Sequence, residues 1–148
     1  ENLHITFQFI GDTREEDISG ISEFLTEHFT DLPALKFFSP ILEIIPGRNP
    51  RIIWISAKTD NKEILTISKK FKLKLRELGY KLDSKPLKFH VTLGRIKKRL
   101  PEFFIHQVLT KEISIKEFDV SEATLYQSFL RPEGPRYVKL YNFLFGGK

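Results

Sequence analysis

The chain has 148 residues, 41% of them hydrophobic, with 24 Lys and Arg against 19 Asp and Glu, a formal charge of +5. That length suits one domain with a sizeable core, and 14 Phe residues argue against a disordered chain. The lack of Cys excludes a disulfide framework and thiolate chemistry and favours a cytoplasmic protein. No apolar run is long enough to span a bilayer. The modest basicity suits an anionic partner such as RNA as well as it suits ordinary solubility.

Residues 2–10 alternate as a strand, and no signal peptide is expected. The sequence has no Met, so the chain is expected to begin after a cut or to lack its natural start. Gly11-Asp12 turns, and Thr13 with Glu16 reads as a capping box. Ile18, Ile21, Leu25 and Phe29 then recur at helical spacing, which predicts a helix over 14–29. Residues 35–45 are β-rich, with Pro40 marking an edge or a bulge. Pro46-Gly47-Arg48-Asn49-Pro50 turns into a strand over 51–58, closing a hairpin. Asp60 with Glu63 repeats the capping pattern. Ile64, Ile67, Phe71, Leu75 and Leu78 share one helical face, and Gly79 is the expected stop. A second motif strand covers 88–96, and Pro101 opens a short helix through Leu109. Strands are predicted over 113–118, 122–130 and 137–145, with Arg131-Pro132-Glu133-Gly134-Pro135 as a turn. Gly146-Gly147-Lys148 reads as a tail.

The two halves share one pattern. Leu3-His4-Ile5-Thr6-Phe7 and Phe89-His90-Val91-Thr92-Leu93 each place His-x-Thr between apolar residues. In a strand, residues i and i+2 face the same way, so each His projects with its Thr. The expected architecture is α+β: one bilobal, pseudo-duplicated domain over 1–148, with two antiparallel sheets flanking a central cleft and helices on the outside.

This pattern suits cleavage of a phosphodiester. An imidazole with an ordinary pKa of about 6.5 serves as acid or base near neutrality. Two facing imidazoles supply both roles, and each Thr hydroxyl can donate to a non-bridging phosphate oxygen. A lone His-x-Thr is weak evidence, and its bland reading is a structural His; two copies in apolar strands favour function. His28 and His106 lack that context and read as structural or surface residues. No metal or cofactor is expected: there is no His-Glu-x-x-His, no Cys and no Walker loop. Arg95 matches the parity of Leu93 unless a bulge at Gly94 turns it; it is either a phosphate contact or a rim charge. Lys97, Lys98 and Arg99 either track an RNA backbone or form a solvated loop. Tyr137 is a candidate to stack a base, whereas Phe9 is expected in the core.

These residues resemble a known family. Leu3-His4-Ile5-Thr6-Phe7 with Phe9-Ile10-Gly11, then His90-Val91-Thr92-Leu93-Gly94-Arg95, then Ser128 and Gly134-Pro135-x-Tyr137, look like the 2H phosphoesterase superfamily. Within it they look most like the RNA 2′,3′-cyclic phosphodiesterases, also called 2′-5′ RNA ligases. The resemblance implies metal-free hydrolysis of an RNA 2′,3′-cyclic phosphate end to a 2′-phosphomonoester. It implies His4 as proton donor to the leaving 3′ oxygen and His90 as the base that activates water. Thr6 and Thr92 would hold the phosphate, with Arg95 as a substrate contact. Gln8 stands where relatives usually carry Lys. Alternatives are a 2′-5′ RNA ligase, a phosphodiesterase acting on 2′-5′ oligonucleotides or ADP-ribose cyclic phosphate, and an RNA-end-binding module without turnover. A monomer without a protein partner is expected.

Overall fold

A computed structural model of the chain describes residues 3–46, 49–112 and 114–146. The fold is α+β, built on antiparallel sheets. Its residues group into two compact units: Glu1–Phe9, Lys36–Asp60 and Ser84–Phe118 in the first, and Ile10–Leu35, Asn61–Asp83 and Asp119–Lys148 in the second.

The first unit is organised by a sheet. Strands β1 (Leu35–Ile45) and β2 (Ile52–Lys58) form the predicted hairpin, closed by the Arg51 N–H donating to the Ile45 carbonyl at 3.0 Å. Strand β3 (His90–Arg95) pairs antiparallel with the other edge of β2. A short helix, α3 (Glu102–Thr110), follows, with Pro101 at its N-cap. The three-residue strand β4 (Phe118–Val120) completes the order β3-β2-β1-β4. Pro40 behaves as expected of a proline inside a sheet: the β1–β2 register slips between Phe38 and Ile41, and Ser39 takes φ 50°. Phe37, fully buried, holds Phe89 edge-on at 4.9 Å and Phe118 stacked at 5.3 Å.

The second unit has two helices and a hairpin. A 3-10 turn (Glu15–Asp17) leads into α1 (Ile18–Phe29), and α2 runs Lys62–Glu77. Strands β5 (Glu122–Phe129) and β6 (Arg136–Leu144) pair antiparallel. Ile21, Leu25 and Phe29 of α1 are buried, as are Ile64, Ile67, Phe71 and Leu75 of α2. Phe24 stacks on Phe71 at 5.4 Å, while Phe29 meets Phe143 at 6.0 Å and Phe145 at 5.1 Å. α2 ends as the sequence predicts: Gly79 takes φ 94°, its N–H donates to Arg76, and the Tyr80 N–H donates to Leu75.

Several local expectations are corrected. Residues 3–10 form no strand; Ile5 alone makes a bridge, to Val91. Asn2, at the head of that predicted strand, lies outside the described residues, as do Gly47, Arg48, Ile113, Gly147 and Lys148. Residues 114–117 are also not a strand. Thr13 does not cap a helix; its hydroxyl donates to the Gly11 carbonyl at 2.9 Å. The cap of α2 is Asn61, which accepts from the Ile64 N–H at 3.0 Å, one residue after the predicted Asp60. Phe9 is 76% exposed rather than in the core. No described helix is long and apolar enough to cross a membrane.

The turn before α1 is tied to the end of α2 by one polar cluster. Asp17 accepts from the Tyr80 hydroxyl and, at 2.8 Å, from Arg14 Nε. Arg14 also donates to the Leu78 carbonyl at 2.8 Å. The Tyr80 and Arg14 hydrogen bonds outweigh the cost of burial and hold Asp17 below the ordinary carboxylate range. A depressed carboxylate contributes stability above its unfolded pKa and loses it as pH falls through the folded value. Tyr80→Phe is therefore expected to lower the melting temperature at pH 7. The gap from the parent should narrow once the pH drops below about 4, as thermal unfolding followed by circular dichroism will show.

Candidate active site

The two His-x-Thr segments both lie in the first unit. They meet at the antiparallel bridge between Ile5 and Val91. Antiparallel pairing continued one residue to either side of that bridge would set His4 across from Thr92 and Thr6 across from His90, on the face opposite the bridging aliphatics. The two imidazoles would then stand on the diagonal of this square. Diagonal neighbours across an antiparallel pair sit about 7–8 Å apart at Cα, within reach of side chains that close on one small group from both sides.

β3 carries its own correction to simple parity. Its register with β2 runs Ser56 to His90, Ile55 to Val91, Trp54 to Thr92, Ile53 to Gly94 and Ile52 to Arg95. Leu93 is the extra residue, so β3 bulges there. Ser56, Trp54 and Ile52 share one face of β2, and the bulge therefore turns Arg95 onto the face that holds His90 and Thr92. Of the two readings left open by the sequence, the geometry matches the one that brings Arg95 to the motif. The Ile96 N–H, donating to Arg51 at 2.7 Å, secures the far end of that register.

Polar contacts fix the orientation of His90. Its Nδ1 lies 2.9 Å from the Lys88 carbonyl, which can only accept, so Nδ1 carries the proton in the neutral ring. Nε2 is then the lone-pair nitrogen, the form a general base requires. Trp54 lies against the same ring, with centroids 4.1 Å apart and planes at 34°. The indole Nε1 donates to Glu43 Oε2 at 2.7 Å, and Lys88 Nζ donates to the same oxygen at 3.0 Å. Burial pushes the Glu43 carboxyl up. Hydrogen bonds from Trp54, Lys88 and Ser56, with the Lys88 charge, outweigh it and hold the group below the usual carboxylate range.

The LigT like Phosphoesterase family model matches residues 55–137, more than half of the chain and including the second His-x-Thr. The chain belongs to the LigT-like phosphoesterase family. It is 35% identical to the RNA 2′,3′-cyclic phosphodiesterase of Archaeoglobus fulgidus, over 97% of this chain and 80% of that protein. It is 33% identical to the protein of the same name from Methanocaldococcus jannaschii, over 93% and 77%. A solved structure from Thermus thermophilus shares the fold, with a TM-score of 0.80 at 24% identity, over 99% of this chain and 79% of that one.

The remaining candidates of this LigT-like phosphoesterase take other places. Tyr137 lies on β6 in the second unit, exposed, with its ring edge-on to Tyr126 at 6.0 Å. His28 is structural: its Nδ1 donates to the Phe24 carbonyl at 2.8 Å, and its ring stacks on Phe24 at 4.0 Å. His106 is exposed on α3, and Lys97, Lys98 and Arg99 are exposed after β3. Gln8 donates to the Phe9 carbonyl at 2.7 Å. Among the described residues, no group of three or more His, Cys, Asp or Glu is placed to hold a metal ion. A cavity of about 510 Å³ lined by Gly11, Arg14 and Tyr80 lies in the second unit, and Arg14 there is committed to Asp17 and Leu78. The sequence reading passed over Trp54, Glu43 and Lys88 as site residues. The available signal was that Trp54 and Ser56 share a strand face, but which face required the β2–β3 register.

Nitrogen NMR of the histidine side chains checks the orientation of His90. The neutral ring of His90 is expected as the Nδ1–H tautomer; an Nε2–H form would contradict the Lys88 contact.

Proposed function

We propose that this LigT-like phosphoesterase hydrolyses RNA 2′,3′-cyclic phosphate ends to 2′-phosphomonoesters, using His4 and His90 without a metal. The observation that supports the reading is the Ile5–Val91 bridge, which brings the two His-x-Thr segments together. The names of the Archaeoglobus fulgidus and Methanocaldococcus jannaschii relatives supply the substrate class.

In this mechanism His90 Nε2 takes a proton from water, which attacks phosphorus. His4 gives a proton to the departing 3′ oxygen, so the phosphate stays on the 2′ oxygen and the 3′ hydroxyl is freed. Charge that accumulates on the non-bridging oxygens is met by the Thr6 and Thr92 hydroxyls and by the Arg95 guanidinium. Turnover ends with His90 protonated and His4 deprotonated, and exchange with solvent resets both.

A short RNA with a 2′,3′-cyclic phosphate end, incubated with EDTA, tests this directly. The parent chain is expected to yield the 2′-phosphate with a bell-shaped pH–rate profile. His4→Ala and His90→Ala are each expected to lose about 10²–10⁴-fold in rate and one limb of the bell. Arg95→Ala should retain the bell and lower kcat and kcat/KM together, as loss of a contact to developing charge does. Binding of the RNA end without product, or a rate that EDTA abolishes, would defeat the reading.

A further inference from the structure

We propose that Trp54, held by Glu43, is a positioning residue for His90, fixing the plane of the imidazole and offering it an aromatic face when it takes up a proton. The inference rests on the phosphodiesterase reading above, because it gives His90 the base role.

The contacts form a closed ring. The Lys88 carbonyl accepts from His90 Nδ1, the His90 ring lies on Trp54, the Trp54 N–H donates to Glu43, and Glu43 accepts from the Lys88 ammonium. The Lys88 contact selects which nitrogen of His90 faces outward. It leaves the ring free to rock about that bond, and the indole is the surface that stops the rocking. The indole cannot swing away without breaking a 2.7 Å hydrogen bond to a carboxylate. Glu43 cannot follow it, since Lys88 and Ser56 hold the same carboxylate.

Charge supports the same role. An imidazolium forms on His90 only after it has accepted a proton, and the face of an indole attracts a cation. The charged and titratable groups around the pair are Glu43 from β1, Lys88 from the segment before β3, and His4 and Arg95 on the motif face. The Lys88 ammonium, 5.3 Å from the indole centroid, and Glu43 offset each other's charge. Trp54 is thus the aromatic face in contact with the ring, where charge develops during the reaction. An apolar residue at position 54 would supply neither the N–H nor the aromatic face.

Two measurements test the proposal. In the RNA assay, Trp54→Leu is expected to lower kcat roughly tenfold to a hundredfold with little change in KM, the scale of a misplaced catalytic group. Trp54→Phe, which keeps the ring, should recover much of the loss. Glu43→Leu should fall with Trp54→Leu, and Glu43→Gln, which keeps an acceptor, should lie closer to the parent. The second measurement needs no substrate. Trp54 is the chain's single Trp, so its emission is unambiguous. A protonated imidazole in contact quenches indole more than a neutral one, so emission should step down on acidification. That step should vanish in His90→Gln. A step that persists in His90→Gln, or Trp54→Leu turning over as fast as an active parent, overturns the positioning role alone. A parent chain that does not turn over overturns the reading beneath it.

Discussion

One bridge sets the chemistry of the first unit. Ile5 opposite Val91 costs little to form and buries only two aliphatic side chains partway, yet it fixes the register of both His-x-Thr segments. Side chains alternate with a period of two. A slip of one residue would therefore send His4 and Thr6 to the other face, and a slip of two would separate each imidazole from its cross-strand hydroxyl. Phe89, the neighbour of His90, is buried against Phe37 and anchors β3 from below. The face that carries His90 is held by what lies on its back.

The bulge at Leu93 extends that face. Regular pairing would aim Arg95 away from His90; one extra residue in β3 brings it back. The same register places Trp54 beside His90 and Glu43 beside Trp54, so three strands converge on one imidazole. A base on a flexible loop would sample many orientations. Here the ring has a hydrogen bond at one nitrogen and an indole on its face, which leaves a single lone pair directed outward.

Much of this was legible in the sequence, and the failures have physical causes. Helices α1 and α2 follow from their apolar spacing, and the hairpin of β1 and β2 from two β-rich runs around a turn. The α+β class follows from the same patterns. The His-x-Thr pairs were legible because parity within a strand is a local property. Parity between strands is not. Leu93-Gly94 could signal a bulge, but only the partner strand decides whether the extra residue is used. Residues 3–10 alternate like a strand, yet alternation says nothing about whether a neighbour lies along the whole length to complete a ladder. The cap of α2 fell one residue away because Asp60 and Asn61 are both good caps, and only Asn61 reaches the Ile64 N–H. Trp54, Glu43 and Lys88 were missed because they come from three separate segments, and nothing in one segment announces the other two.

The proposed reaction requires both His-x-Thr copies to act on one phosphate. A crystal structure with a ribonucleoside vanadate, which imitates five-coordinate phosphorus, tests it most directly. The account predicts His4 and His90 on opposite sides of the vanadium, with the Thr6 and Thr92 hydroxyls donating to its equatorial oxygens. Vanadate held by one motif alone, with the other imidazole turned away, would contradict it.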